Sequence, residues 1–146
     1  MTQPQDDLFY LGLKALIQND KEEILLLKYR HTHADQKTAW GLPGGRIQKN
    51  ESLHEGLRRE VTEETGISDL TIIEEIGFTH TPYRISAGES LHAGMVYVVY
   101  HCSVPPDTKI TLSDEHTEYV WLSKEKAIEI LQLVFSQELI EKIKTI

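Results

Sequence analysis

The sequence predicts a layered α/β or α+β domain, and three observations support this prediction. The chain has 146 residues, which is enough for one domain with a sizeable core. Segments with strand character fill the first part and the middle, whereas helical patterns stand in the middle and at the end. Strands and helices distributed in this way pack in layers. We therefore expect a single domain over residues 1–146.

The predicted strands are short runs rich in aliphatic, β-branched and aromatic residues, bounded by polar turns. The first two are joined at Asn19–Asp20 and should form a hairpin. The strands are predicted, in order, over 8–18, 23–29, 70–83, 91–104 and 118–123. Between them, 30–39 and 105–117 are predicted as loops, and the glycines and Pro43 of WGLPGGR (40–46) predict a tight, irregular path.

The first predicted helix covers residues 53–65. Ser52 and Glu55 have the spacing of a capping box, in which each side chain accepts a hydrogen bond from the other residue's backbone. Gly66 stands where a helix ends in the left-handed conformation. Two more helices are predicted over 123–133 and 136–144, with apolar residues at near-helical spacing that should pack in the core.

The first helix has two distinct faces. Leu53, Leu57 and Val61 recur every four residues and should pack on the sheet. Glu60, Glu63 and Glu64 lie on a different face, where their like charges repel. Three carboxylates on one rigid element can bind a hard divalent cation, to which a carbonyl of the preceding glycine turn can be added. A solvated acidic face fits the spacing equally well.

The segment GGRIQKNESLHEGLRREVTEETGI (44–67) resembles the Nudix box of the Nudix (MutT-type) hydrolases. Gly45 is followed after five residues by Glu51, and after seven more by REVTEETGI (59–67). All nine constrained positions of the box at 45–67 are filled, and average residue frequencies put a chance match on the order of 10⁻⁷ or less. The flanking segments WGLPG (40–44) and DEH (114–116) resemble the family more loosely. The resemblance therefore extends over most of the chain.

This resemblance implies a Nudix fold, a mixed β-sheet sandwiched between α-helices. It also implies hydrolysis, with Mg²⁺ or Mn²⁺, of a nucleoside diphosphate linked to another group. The implied metal ligands are Glu60, Glu63, Glu64 and the carbonyl oxygen of Gly44. Arg59 and Glu51 match positions that orient those carboxylates, and Gly45 and Gly66 match the structural glycines of the box.

The general base is left open by the resemblance, because in this family it is either a box glutamate or a residue of a later loop. Glu63 and Glu60 are the box candidates; Glu115, His116 and Glu118 are the loop candidates, of which we favour Glu115. Candidate contacts to substrate are Arg30, Arg46, Tyr83 and Arg84, although each also fits an ordinary surface or core position.

The substrate class is less well defined than the reaction. A compact chain resembles members that cleave a nucleoside triphosphate, releasing the monophosphate and pyrophosphate. Pro82 resembles a proline of members that cleave ADP-ribose, whereas Tyr83 resembles a tyrosine of members that cleave dinucleoside polyphosphates. A nucleotide-sensing module without catalysis is the alternative of another class, but such modules usually lose box glutamates that this chain retains.

The net charge of −8 argues against a nucleic-acid partner bound by a basic surface. The single cysteine, Cys102, permits no internal disulfide. The first ten residues contain two aspartates and no long apolar run, so we expect no signal peptide, no membrane span and a cytoplasmic protein. The apolar residues of the two C-terminal helices do not distinguish a monomer from a homodimer.

Overall fold

The computed structural model describes residues 6–32, 36–86 and 92–146, except for the side chains of 82–86 and 92. The strands are β1 (Phe9–Gln18), β2 (Ile24–Tyr29), β3 (Trp40–Gly41), β4 (Gly44–Arg46), β5 (Thr71–Ser86), β6 (His92–Ser103) and β7 (His116–Leu122). The helices are α1 (Leu53–Thr65), α2 (Lys124–Leu131) and α3 (Gln137–Lys144). Strands and helices thus occur in the predicted order, which confirms the α+β class.

The strands form one mixed sheet in the order β3-β2-β1-β6-β5, with β4 beside β1 and β7 beside β2. Strand β1 runs parallel to β6 along its whole length, from Phe9 opposite Gly94 to Gln18 opposite Ser103. The other pairs are antiparallel.

The predicted hairpin of β1 and β2 exists only next to its turn. The two strands pair at Gln18 and Ile24 and then separate. The reason is competition for the edge of β1, which pairs with β4 from Gly12 to Lys14, while β2 pairs with β7 and β3. The segment 40–46, predicted as irregular, therefore contributes two short strands on either side of Leu42 and Pro43.

Two apolar cores lie on the two faces of the sheet. Alternate residues of β1 separate them, because Leu13 and Ile17 belong to the core beneath α1, whereas Leu16 belongs to the core beneath α2 and α3. Leu57 and Val61 are fully buried in the first core, as the helical spacing predicts. The sheet is therefore sandwiched between helices.

Helix α1 has the predicted bounds and caps. Ser52 and Glu55 form the capping box, and Gly66 ends the helix with φ 73°. Gly56 lies so close to the sheet that a β-carbon there would be 2.9 Å from Cδ1 of Leu13. A larger residue at this position would require the Leu13 side chain to shift.

The C-terminal helices begin at Ser123 and Ser136, whose side chains accept hydrogen bonds from the first turn of each helix. Leu131, Leu139 and Ile143 are buried, which confirms their packing in the core. Within the described ranges, none of the helices has the length and apolar character needed to cross a membrane.

Candidate active site

The glycine turn of β4 is joined to the end of α1 by Glu64. The backbone N–H of Gly44 donates to Oε1 of Glu64 over 2.8 Å. Gly44 has φ 147°, and a β-carbon there would overlap the carbonyl oxygen of Leu13. Only glycine fits this conformation and spacing, so the turn is held directly against β1 and its N–H is aimed at the carboxylate.

Glu60 lies against the second glycine of the turn. A β-carbon on Gly45 would be 2.5 Å from the carboxylate carbon of Glu60. The three box glutamates differ in exposure, since the side chain of Glu64 is 4% exposed, that of Glu60 16% and that of Glu63 57%. Glu60 and Glu64 are therefore held in place by their surroundings, whereas Glu63 projects into solvent.

Arg59 binds four groups at once. Its Nε and Nη2 contact the two carboxylate oxygens of Glu51 at 2.6 and 2.9 Å. Nη1 lies 2.8 Å from Glu60 and 3.4 Å from Glu63, and Nη2 also donates to the carbonyl oxygen of Arg46 at 3.1 Å. The hydrogen bond from Arg59 lowers the pKa of Glu51. A planar guanidinium with several donors is suited to orient carboxylates in this way.

Glu115, in the loop before β7, and His116, the first residue of β7, are added to this site. Glu64, Glu115 and His116 each present a ligand atom, and these atoms lie within 4.8 Å of one another. Nε2 of His116 is 3.4 Å from Oε2 of Glu64. Both ring nitrogens of His116 are buried and have no hydrogen-bond partner among the described residues. These three donors, with Glu60 close by, could hold a divalent cation.

Burial sets the protonation of this cluster. Burial, with smaller contributions from Glu60 and Glu115, raises the pKa of Glu64 to about 7. Lys14 and the Gly44 N–H act in the opposite direction. Burial, together with the charge of Lys14, lowers the pKa of His116 to about 4. In the absence of a cation, the ionised form of Glu64 is therefore costly, and a bound cation would favour it.

Lys14 is a buried cation that the sequence analysis did not identify. It lies on β1 with 8% of its surface exposed, and its Nζ donates to the Tyr29 hydroxyl at 3.0 Å and to the Leu42 carbonyl at 3.2 Å. Burial disfavours its charge, but Tyr29, Tyr97 and Glu64 outweigh burial and raise its pKa. The available signal was a single charged residue in an otherwise uncharged strand over 8–18.

A cleft of about 690 Å³ opens beside these residues. Glu60, Glu115 and the Gly44–Gly45 turn lie at its wall, and Lys14 lines it as well. Arg46, a predicted substrate contact, also lines the cleft, with its guanidinium carbon 4.5 Å from the centre of the Tyr10 ring. The aromatic residues that line it are Tyr10, Tyr29, Trp40, Tyr97 and Phe135.

The other predicted residues lie elsewhere. Arg30 donates from Nε to the carbonyl oxygen of Asp114 over 2.7 Å, and so anchors the loop that carries Glu115. Glu118 forms an exposed ion pair with Lys28 at 3.0 Å. The side chains of Tyr83 and Arg84 are outside the part of the chain that the structure describes.

Comparison with known proteins identifies the family of the chain. Residues 11–142 match the family model of the NUDIX domain. The nucleoside triphosphatase NudI of Salmonella agona (strain SL483) is 31% identical over 120 residues, which cover 76% of this chain and 79% of that protein. NudI of Escherichia coli (strain SE11) is 29% identical over 122 residues, covering 77% and 81% of the two chains.

Solved structures give the same result. A MutT protein from Methanosarcina mazei Go1 superposes with a TM-score of 0.72 at 28% identity, covering 97% of this chain and 95% of that one. The Ap4A hydrolase of C. elegans, solved as a binary complex, also gives 0.72, at 22% identity over 93% of this chain and 96% of its own. At this lower identity the likeness concerns the fold alone.

Proposed function

Because the chain belongs to the Nudix family of hydrolases, we propose that it cleaves a phosphoanhydride bond of a nucleoside triphosphate, releasing the nucleoside monophosphate and pyrophosphate. The proposal includes Mg²⁺, or Mn²⁺ in its place, as the cofactor. The relatives described above are nucleoside triphosphatases, which supports this choice of substrate. A cleft of about 690 Å³ is in the range typical of small-molecule sites and fits one nucleotide.

The observation that carries the proposal is the environment of Glu64. A carboxylate in a surface acidic face would be solvated, yet Glu64 is buried. Its Oε1 accepts from the Gly44 N–H, its Oε2 is 3.4 Å from His116, and Glu115 presents an oxygen within 4.8 Å of the Glu64 and His116 donor atoms. A buried carboxylate beside other acids is costly unless a cation is bound to it. We therefore propose Glu64 as a metal ligand, and the matching positions of the Nudix box add Glu60, Glu63 and the carbonyl oxygen of Gly44 to the proposed set.

Other residues of the chain position the ligands and attract the substrate. A divalent cation bound there neutralises phosphate charge and lowers the pKa of a bound water. Arg59 and Glu51 keep Glu60 in position. Arg46 lines the cleft and supplies a positive charge that an anionic substrate needs near a chain of net charge −8.

Glu115 is the general base in this proposal. Its carboxylate lies at the wall of the cleft and within 4.8 Å of the Glu64 and His116 donor atoms, so it can accept a proton from an attacking water. Glu63, exposed at the end of Arg59, is the alternative base. We further propose a cytoplasmic protein that acts on a small nucleotide without a nucleic-acid or membrane partner, as a monomer or homodimer.

The experiment is hydrolysis of a panel of nucleoside triphosphates, ADP-ribose and diadenosine tetraphosphate, each with Mg²⁺, with Mn²⁺ and with EDTA. We expect metal-dependent release of a monophosphate and pyrophosphate from at least one triphosphate. Glu115→Gln should lower kcat by at least about a hundredfold, as loss of a general base does. Glu118→Gln, the control, removes an exposed carboxylate three residues further along, in β7, and should leave kcat unchanged. Turnover that persists in EDTA, or equal loss in both variants, would overturn the assignment.

A further inference from the structure

Two glycines make room for two tyrosines on either side of Lys14. A β-carbon on Gly12 would be 2.5 Å from the ring of Tyr97, and one on Gly41 would be 2.8 Å from the hydroxyl of Tyr29. The Lys14 Nζ lies 4.9 Å from the centre of the Tyr97 ring and 5.6 Å from that of Tyr29. An ammonium group held between two aromatic rings is stabilised by both. The ammonium is therefore part of a built pocket in the wall of the cleft.

The ammonium has one donor to spare. It carries three N–H groups and has no acceptor capacity. The Tyr29 hydroxyl and the Leu42 carbonyl accept two of them. Within residues 6–32, 36–86 and 92–146, as far as their side chains are described, no third acceptor is present. Since Lys14 lines the cleft, a ligand in the cleft can supply that acceptor.

The position of Lys14 favours a base over a phosphate as that ligand. The proposed phosphate site is at Glu60, Glu64 and the glycine turn. Lys14 is adjacent to that site, because it pairs with Gly44 across β1 and β4, but its ammonium lies between the rings of Tyr29 and Tyr97. Together with Tyr10 these rings line the cleft, and such a lining is suited to a flat aromatic base rather than to a strongly hydrated anion.

We propose that Lys14 is a specificity-determining residue that donates a hydrogen bond to an exocyclic carbonyl oxygen of the substrate base. This inference rests on the proposed triphosphatase function and names its substrate class: nucleotides whose base carries a keto group where others carry an amino group. A donor-only ammonium attracts a keto oxygen, whereas an amino group there would place two donors against each other.

Two pairs of substrates isolate this contact. Inosine and adenosine triphosphate differ in a keto or amino group at position 6, and uridine and cytidine triphosphate differ in the same way at position 4. For each pair, kcat/KM is measured for the wild-type protein, for Lys14→Met and for Lys126→Met, which removes an exposed lysine of α2. Melting temperatures of all three proteins report folding.

We expect the wild-type protein and Lys126→Met to favour the keto member of at least one pair by about tenfold or more, equivalent to about 1.4 kcal/mol. In Lys14→Met that ratio should fall towards one. A wild-type ratio near one, or an equal loss for both members in Lys14→Met, would overturn the inference, and the latter would indicate a phosphate contact or a structural role. Should Lys14→Met not fold, Lys14→Gln is measured in its place, with the same expected loss of preference. If none of the four compounds is cleaved, guanosine and 2-aminoadenosine triphosphate provide the same comparison of a keto with an amino group. Absence of turnover with every triphosphate would overturn the proposed function itself.

Discussion

Replacing Glu64 by glutamine should stabilise the metal-free protein at alkaline pH while removing its metal-dependent turnover. Glutamine keeps an acceptor for the Gly44 N–H and removes the charge. The pKa of Glu64 is raised from 4.5 to about 7 by burial, so the folded state favours the protonated acid. The stability that this group contributes is present below pH 4.5 and is lost as pH rises through about 7.

The structure gives the size of the effect. The difference of 2.5 between 4.5 and about 7, at about 1.36 kcal/mol per pH unit, corresponds to about 3 kcal/mol at high pH. Glutamine does not recover all of this, because its amide must be accommodated beside His116 and Lys14 loses an attractive charge. We expect Glu64→Gln to be more stable than the wild type by about 1–2 kcal/mol at pH 8.5, or roughly 3–6 °C in Tm.

The assay is urea unfolding of both proteins in EDTA at pH 5 and pH 8.5. The advantage of the variant should grow by about 2 kcal/mol between these pH values. His116 makes the opposite contribution, because its lowered pKa makes the folded state lose stability as pH falls. Burial and Lys14, which lower that pKa, remain in the variant, so most of this contribution cancels in the difference between the proteins. A difference in the free energy of unfolding that is the same at both pH values, or smaller at pH 8.5, would show that burial does not raise the pKa of Glu64. Turnover with Mg²⁺ should fall by more than about a hundredfold, beyond the effect typical of residues that only orient ligands.

Two further predictions concern the support of the site and the helix that carries it. Arg59→Lys should weaken the apparent metal affinity or kcat by about 10–100-fold, because an ammonium cannot replace the paired contacts to Glu51 at 2.6 and 2.9 Å; a metal titration of activity that matches the wild type would contradict this. Ser52→Ala should remove the capping-box hydrogen bond and lower the free energy of unfolding by about 1 kcal/mol, with kcat at 25 °C unchanged. Thermal unfolding and initial rates test both halves of that prediction, and a large loss of kcat would show that the cap also shapes the site.

Local signals predicted α1 well, because a helix end depends on a few neighbouring residues. The capping box at Ser52 and the left-handed Gly66 set both bounds of the helix. The bidentate pairing of Arg59 with Glu51 is not given by helical spacing, because Glu51 precedes the helix; the resemblance gives both residues only as positions that orient the metal ligands.

The missed features depend on contacts between distant segments. The parallel pairing of β1 with β6 joins residues more than eighty positions apart. The pairing of β4 with β1 joins residues about thirty positions apart, and it opens the hairpin that local turn signals predict. Arg30 is bound to the carbonyl of Asp114, 84 residues away, and its place as an anchor of the loop cannot be read from its own neighbours. Lys14 is visible in the sequence as an isolated charge, but its burial between Tyr29 and Tyr97 depends on three separate strands.

In the proposed mechanism, Glu60 and Glu64, beside the glycine turn, hold a divalent cation. The most direct test is a crystal soaked in Mn²⁺, whose position anomalous scattering reveals. We expect a peak within about 2.0–2.3 Å of carboxylate oxygens of Glu60 and Glu64 in the wild-type protein, and a reduced or absent peak in Glu64→Gln. A fully occupied Mn²⁺ that is bound elsewhere, or that keeps its place in the variant, would contradict it.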